Sequence, residues 1–467
     1  MTVSSLTLMM GSALLALPSQ PVAAKVEQQR CSITEDESGF AFSAEIETKI
    51  RALLDDMVEK GVAPGVVIMI EHRGDRLLSY SSGYADAERN APMKKDALFR
   101  IFSMTKPITS VAAMQLIEED KMSLDDPVSK FLSDLTNVKV WTGNKDGLKT
   151  ELLERPVLIK DLLRHTAGFT YRGGKGDPVR DLYNSRGVPA GPGFNAKPTD
   201  GSATVTSLPM MVERISEIPL LNQPGAAFTY GNASDVLGRV VEVVSRRSLS
   251  DYFAKRIFEP LSLKDTMFEV PANRIGDLSS AYAAKSQLPE GSSVLASIEI
   301  SDLKPAATIR IDDGQNSIYA HKPAIEFGGA GLVSTASDYL RFTQAMRQGG
   351  QLDGNQILLK DSVNLMMQDH LSENARASSA FLDQLGFGYG FAVRKAPTSV
   401  SPVFPQCGTF WGGAASTNFW IDRSGETSGV LMTQVFGGDV RSYWMEILEI
   451  LYSNSSVNVA NKPIIDD

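Results

Sequence analysis

The sequence predicts an α+β protein: an antiparallel sheet assembled from both ends of the chain, helices packed on it, and a mostly helical middle. Three observations predict this. The N-terminal part reads as one helix followed by a β-hairpin, helical periodicity dominates the centre, and the C-terminal part returns to strands before a last helix. No internal repeat and no linker long enough to separate independent domains interrupts that order.

The elements follow from local chemistry. "AEIETKIRALLDDMVEKG" (44–61) has helical apolar spacing and stops at a glycine. "GVVIMIEHRGDRLLSYSSGYAD" (65–86) is two β-rich runs around a turn at "HRGD". A helix opens at Ser103, and "IKDLLRHTAGF" (159–169) is a second, stopped at Gly168. Residues 171–200 are rich in Gly, Pro, Asp and Asn and read as a long surface loop, of a length often used as a lid. Helices return over 210–218 and 234–253. "GGAGLVSTASDYLRFTQAMRQGG" (328–350) reads as a tight turn, an N-cap and a helix. "GFGYGFAV", "STNFWIDR" and "TSGVLMTQVF" are strands, and a final helix spans about 441–451.

Composition bounds the function. The 467 residues are 43% hydrophobic and 22% charged, enough for two lobes with a cleft. A net charge of -9 argues against nucleic acid as a partner. "LTLMMGSALLAL" followed by "PVAA" has the apolar core and the small Val22 and Ala24 of an export signal over residues 1–24, although "MTVSS" lacks a basic residue. Export to the periplasm or medium is the expectation. That apolar run is too short to span a bilayer, so no stable membrane insertion is expected. Cys31 and Cys407 make no disulfide framework. Nothing in the sequence sets the oligomeric state.

The chemistry centres on "FRIFSMTKPITSVAAMQLIEEDKMSL" (99–124). Ser103 opens an apolar helical run, and Lys106, three residues on, shares its face. A serine hydroxyl is a poor nucleophile until a neighbour takes its proton. Lysine can do so when neutral, and the positive end of the helix dipole favours the neutral amine. By itself the stretch is read equally well as a serine cap with a surface lysine. About two S-x-x-K matches are expected in a chain of this composition, and a second, Ser301 with Lys304, occurs in a non-helical context. No G-x-S-x-G elbow, H-E-x-x-H or C-x-x-C occurs, so neither another serine-hydrolase plan nor a metal site has support. His165, at a helix end, reads as a structural cap.

"SMTK", "LLRHTAGF", "GGAGLVSTASDYLRF" and "GFGYGFAV", in that order, resemble the penicillin-recognising serine hydrolases, closest to class C β-lactamases and the family VIII carboxylesterases. The resemblance runs from about residue 46 to the last helix. It implies a β-lactamase/transpeptidase-like fold, a single catalytic domain over 25–467. Its α/β lobe takes residues 40–100 and 326–467, and its helical lobe 101–325.

The resemblance also implies the site. Its second motif, Tyr-x-Asn, matches Tyr230 to Asn232, and again Tyr452 to Asn454 at the end of the chain. Tyr230 is taken as the phenol that approaches the serine and lysine. Asn232 would orient the lysine or the substrate, or simply cap the helix after it. The third motif of the lactamases, Lys-Thr-Gly, is replaced by Trp411, Gly412 and Gly413. Tryptophan has no charge to pair with a substrate carboxylate and offers an apolar wall instead. The expected reaction is therefore hydrolysis of short-chain acyl esters through an acyl-enzyme on Ser103. Lys106 and Tyr230 would form a coupled base, and the N–H groups of Ser103 and Ala414 an oxyanion hole. No cofactor or metal is implied, and the partner is a small ester. A β-lactamase or D-Ala-D-Ala carboxypeptidase, or a non-catalytic binding protein of the same fold, are the alternatives. The 171–200 loop is expected to roof the site and set acyl size.

Overall fold

The computed structural model describes residues 41–143, 148–173, 177–194, 197–284, 308–379, 382, 385–394 and 408–452. The export segment, Cys31, Ser301, Lys304, Cys407 and Asn454 lie outside them.

An eight-stranded antiparallel sheet draws on both ends of the chain. In spatial order its strands are Leu385–Phe387, Ala392–Arg394, Thr409–Gly412, Asn418–Asp422, Thr427–Met432, Gly65–His72, Asp75–Asp86 and Ala91–Pro92. The hairpin at "HRGD" forms because Arg73 and Gly74 both take positive φ, at 52° and 97°, the backbone of the tight primed turns that suit strand twist. Gly65–His72 is buried along nearly its whole length, since both faces of the sheet are covered. On one face lie the helices Ala44–Glu59 and Val440–Tyr452, whose Ile50, Leu54, Ile447 and Leu451 pack with Ile68 and Leu431. Met69, Val430 and Phe419 belong instead to the larger core built with helix Ala336–Arg347 and the helical middle.

Several elements differ from expectation. The helix opening at Ser103 begins at Thr105, after a 3₁₀ turn, Phe102–Met104, that carries the serine. The helix through "IKDLLRHTAGF" stops at Leu163, because His165 takes the left-handed conformation at φ 56°. The helical region 234–253 is two helices, Ala233–Ser245 and Leu249–Phe253, broken where Arg246 takes φ 58°. "GFGYGFAV" is a hairpin rather than one strand, with Gly390 at φ 95° in its turn. The 171–200 stretch holds a helix, Pro178–Ser185, capped by the Asp177 carboxylate and started by Pro178. No helix among the described residues is long and apolar enough to cross a membrane.

Candidate active site

Ser103 is held from three directions. The strand before it, Phe99–Arg100, pairs with Val333–Ser334. The Ile101 N–H donates to the Leu332 carbonyl at 3.0 Å, and the Tyr339 hydroxyl donates to the Met104 carbonyl at 2.8 Å. Phe102, directly before the serine, takes φ 41°, an unusual conformation for a bulky residue. Ser103 itself remains partly accessible.

Helix Thr105–Glu118 is buried from Thr105 to Leu116. Protein covers it on every side, so its polar side chains, among them Thr109 and Gln115, bond to protein groups. Lys106, on its first turn, therefore has no solvent to reach and must find partners inside. Its Nζ donates to Ser103 Oγ at 3.1 Å, to Tyr171 Oη at 3.1 Å and to the Gly329 carbonyl at 2.7 Å, using the three hydrogens an ammonium carries. The Tyr230 ring centre lies 4.7 Å from the same nitrogen. The structure thus brings Ser103, Lys106 and Tyr230 into one cluster.

The charge of that lysine departs from expectation. Burial alone would pull its pKa down; the phenols of Tyr171 and Tyr230 and the carboxylate of Asp235 outweigh burial and raise it. The resting lysine is an ammonium, not the neutral amine that the helix dipole alone would favour. Burial raises the Tyr171 phenol even against the pull of Lys106, so Tyr171 stays protonated.

Tyr230 owes its place to close backbone packing. Gly231 passes against Phe169 and Thr170 so tightly that a β-carbon there would collide with Thr170. The Thr229 N–H also donates to the His165 carbonyl at 2.7 Å. This contact draws the "HTAGFTY" and "TYGN" segments together and sets the Tyr171 and Tyr230 rings edge to face at 5.7 Å. His165 packs against Tyr230 with centroids 4.8 Å apart. Burial, and then the charge of Lys106, hold its pKa well below the usual histidine range, so the imidazole is neutral.

Asn232 stands at the N-cap position of helix Ala233–Ser245 without a side-chain capping bond. Its amide donates to the Pro189 carbonyl at 3.3 Å and to Asp235 Oδ2 at 3.2 Å. Through Asp235 it is tied to the group that holds Gly329 beside Lys106. Asp235 is fully buried and its other oxygen accepts from the Gly329 N–H at 2.9 Å. Burial raises this carboxyl, against the opposing pull of Lys106.

Trp411 lies on strand Thr409–Gly412, nearly buried, with its ring 5.5 Å from Tyr230 and 5.2 Å from Phe387. Gly412 ends the strand opposite Asn418. Gly413 sits so close to the Ile101 carbonyl and Thr417 that no β-carbon fits, and its N–H is taken by the Thr417 carbonyl at 2.7 Å. Among the described residues no backbone carbonyl takes the N–H of Ala414. The second Tyr-x-Asn match is a core feature: Tyr452 is buried and accepts from Trp420 Nε1 at 3.2 Å.

The sequence reading assigned no role to Tyr171, Gly329 or Asp235. Signals existed for two of them. Tyr171 comes two residues after the end of "LLRHTAGF", and Asp235 is a buried acid in its helix, three residues after Asn232.

Comparison with known proteins bears on the family and the fold. The Beta-lactamase family model matches residues 50–452. Lovastatin esterase of Penicillium rubens is 30% identical over 73% of this chain and 80% of its own length. Esterase EstB of Burkholderia gladioli is 26% identical over 85% of this chain and 93% of its own. The solved structure of EstCE1, described as a hydrolase with promiscuous acyltransferase activity, superposes with a TM-score of 0.68 at 26% identity, covering 87% of this chain and 98% of that one. The chain belongs to the beta-lactamase family and has the fold of its serine hydrolases.

Proposed function

We propose that the protein is a carboxylesterase that acts on small, uncharged esters with short acyl chains through an acyl-enzyme on Ser103. The observation that carries this reading is the contact of Lys106 Nζ with Ser103 Oγ at 3.1 Å and with the Tyr230 ring at 4.7 Å, beside Trp411 where a lactamase places a cation. A carboxylate-bearing lactam would find no charge at that position to pair with, whereas a neutral alcohol or acyl group finds an aromatic wall. Esterase names among the relatives point the same way.

In this mechanism Ser103 Oγ attacks the ester carbonyl and its proton passes into the Lys106–Tyr230 pair. With Lys106 charged, the pair has room for that proton only when Tyr230 is a phenolate; the ammonium then stabilises the negative charge there and on Ser103. The backbone N–H groups of Ser103 and Ala414 hold the carbonyl oxygen as it becomes an oxyanion. The C–O bond breaks, and the departing alkoxide takes the proton back from the pair. Water then attacks the acyl carbon and gives its proton to the same pair, which passes it to Ser103 Oγ as the acyl–oxygen bond breaks and the acid leaves. Tyr171 and Gly329 keep Lys106 in place throughout.

The test is a panel of p-nitrophenyl acyl esters and a chromogenic cephalosporin, run on wild type, Ser103→Ala and Lys106→Ala. The reading predicts ester turnover well above cephalosporin turnover, lost in both variants. Preferential cleavage of the cephalosporin would favour the lactamase alternative, and no turnover or fluorophosphonate labelling would favour a binding protein. Export rests on residues 1–24 alone; N-terminal sequencing of the expressed protein, with cleavage after Ala24, tests it.

A further inference from the structure

Two aromatic groups adjoin the Ser103 segment, one through the Lys106–Tyr230 contact and one through Phe102, the residue before Ser103. The first holds Tyr230, Trp411, Phe228, Phe387 and His165, with centroids 4.8–6.5 Å apart. The second is a triangle of Phe102, Phe194 and Phe436, with centroids at 6.0, 5.3 and 5.8 Å, all meeting edge to face. It packs with Ala330 and Ala415, whose side chains are too small to fill space.

The leaving alcohol must take its proton from the Lys106–Tyr230 pair, so the alcohol half of an ester lies on the Tyr230 and Trp411 side. The acyl half, bonded to Ser103, points the other way. The second group is carried by Phe102, the residue joined directly to Ser103, and the Phe194 ring meets the Phe102 ring at 6.0 Å.

Phe194 differs from its two partners. It comes from the 171–200 stretch, at the end of a tight turn closed by the Phe194 N–H to the Gly191 carbonyl at 3.0 Å and the Ala190 N–H to the Phe194 carbonyl at 3.3 Å. Gly191 and Gly193, at φ 153° and 79°, give the turn its shape. The residue is 37% exposed, whereas Phe102 is 4%. It is the outer, exposed member of the triangle, not part of the core.

We propose that Phe194 is a specificity-determining residue that closes the acyl side of the site, limiting substrates to short acyl chains. This rests on the esterase reading above and names the residue that sets its substrate class. Apolar pockets discriminate by length only modestly, so the expected effects are ratios, not losses of activity.

The test measures kcat/KM for acetyl, butanoyl, hexanoyl and octanoyl p-nitrophenyl esters, and for acetyl esters of alcohols of increasing length. Phe194→Ala should raise the octanoyl-to-acetyl ratio by about tenfold or more, and Phe194→Trp should lower it. Opposite shifts cannot come from misfolding. The alcohol series should keep its wild-type order in both variants. An unchanged acyl ratio in both variants, or a shift confined to the alcohol series, overturns the proposal. Wild-type protein inert toward every ester, and unlabelled by a fluorophosphonate, would overturn the esterase reading itself and the acyl wall with it.

Discussion

The carbonyl of Gly329 accepts a hydrogen bond from Lys106 Nζ at 2.7 Å, shorter than the bond from the same ammonium to Ser103. Gly329 is fixed in turn by Asp235, which accepts its N–H at 2.9 Å. The lysine beside the serine is thus held by a buried relay from the helix behind it.

Removing the amine should remove the chemistry. Lys106→Ala is expected to lower kcat on an acyl ester by about 10²–10⁴-fold, the range for a positioned proton-transfer group. Stopped assays beside circular dichroism check it; near-wild-type turnover in a folded variant would contradict the role.

Asp235→Asn keeps an oxygen for the Gly329 N–H and removes the charge. An effect on the order of tenfold on kcat, with KM little changed, is expected of a group that holds a reacting group in place. The Asp235 carboxylate favours the charged form of Lys106, together with the phenols of Tyr171 and Tyr230, while His165 facing the cluster is neutral. Without Asp235 the lysine loses its proton at lower pH. The alkaline fall of kcat should therefore begin earlier in the variant than in wild type. Superimposable pH profiles would show a purely structural role.

Gly413→Ala tests the approach of the Trp411 strand. A β-carbon there collides with the Ile101 carbonyl and Thr417, so the strand must move away from Ser103. If the Ala414 N–H serves the oxyanion, kcat falls by about 10²–10³-fold while fluorophosphonate labelling slows in parallel. Unchanged kcat would separate this strand from the reaction.

Asp161 predicts an acid limit to stability. Its carboxylate accepts from Arg155 at 2.6 and 3.0 Å, from Arg164 at 2.9 Å and from the Leu158 N–H at 3.0 Å. Burial would raise its pKa, but these bonds overcome burial and lower it. A carboxyl depressed in the folded state stabilises fully above its unfolded pKa of about 3.9 and loses that stability as pH falls through the folded value. Asp161→Ala removes the carboxylate that Arg155 and Arg164 share and should cost about 3–5 kcal/mol near pH 7, with a smaller gap from wild type in strong acid. Urea melts at both pH values measure this; an equal gap at the two would contradict it.

Much of the fold was legible because periodicity carries it. The hairpin at residues 65–86, the helix after Thr335 and the strands around Trp420 each follow from alternation, caps and turn residues. The breaks were less legible. Phe102, His165 and Arg246 take left-handed backbone without being glycine, and tertiary packing, not local propensity, forces them there. Ser103 and Lys106 could be paired from a three-residue spacing, whereas the partners of Lys106 come from 65 and 223 residues away. The lysine's charge was misjudged for the same reason. The helix dipole is local and visible in sequence, but the two phenols and the carboxylate that outweigh it arrive only with the fold.

The most direct test of the central claim is the intact mass of the protein, quenched in acid during turnover of a butanoyl ester, followed by peptide mapping. The account predicts one butanoyl group on the peptide carrying Ser103, absent in Ser103→Ala. Ester turnover that persists in Ser103→Ala, or an acyl group mapped to any other residue, would contradict it.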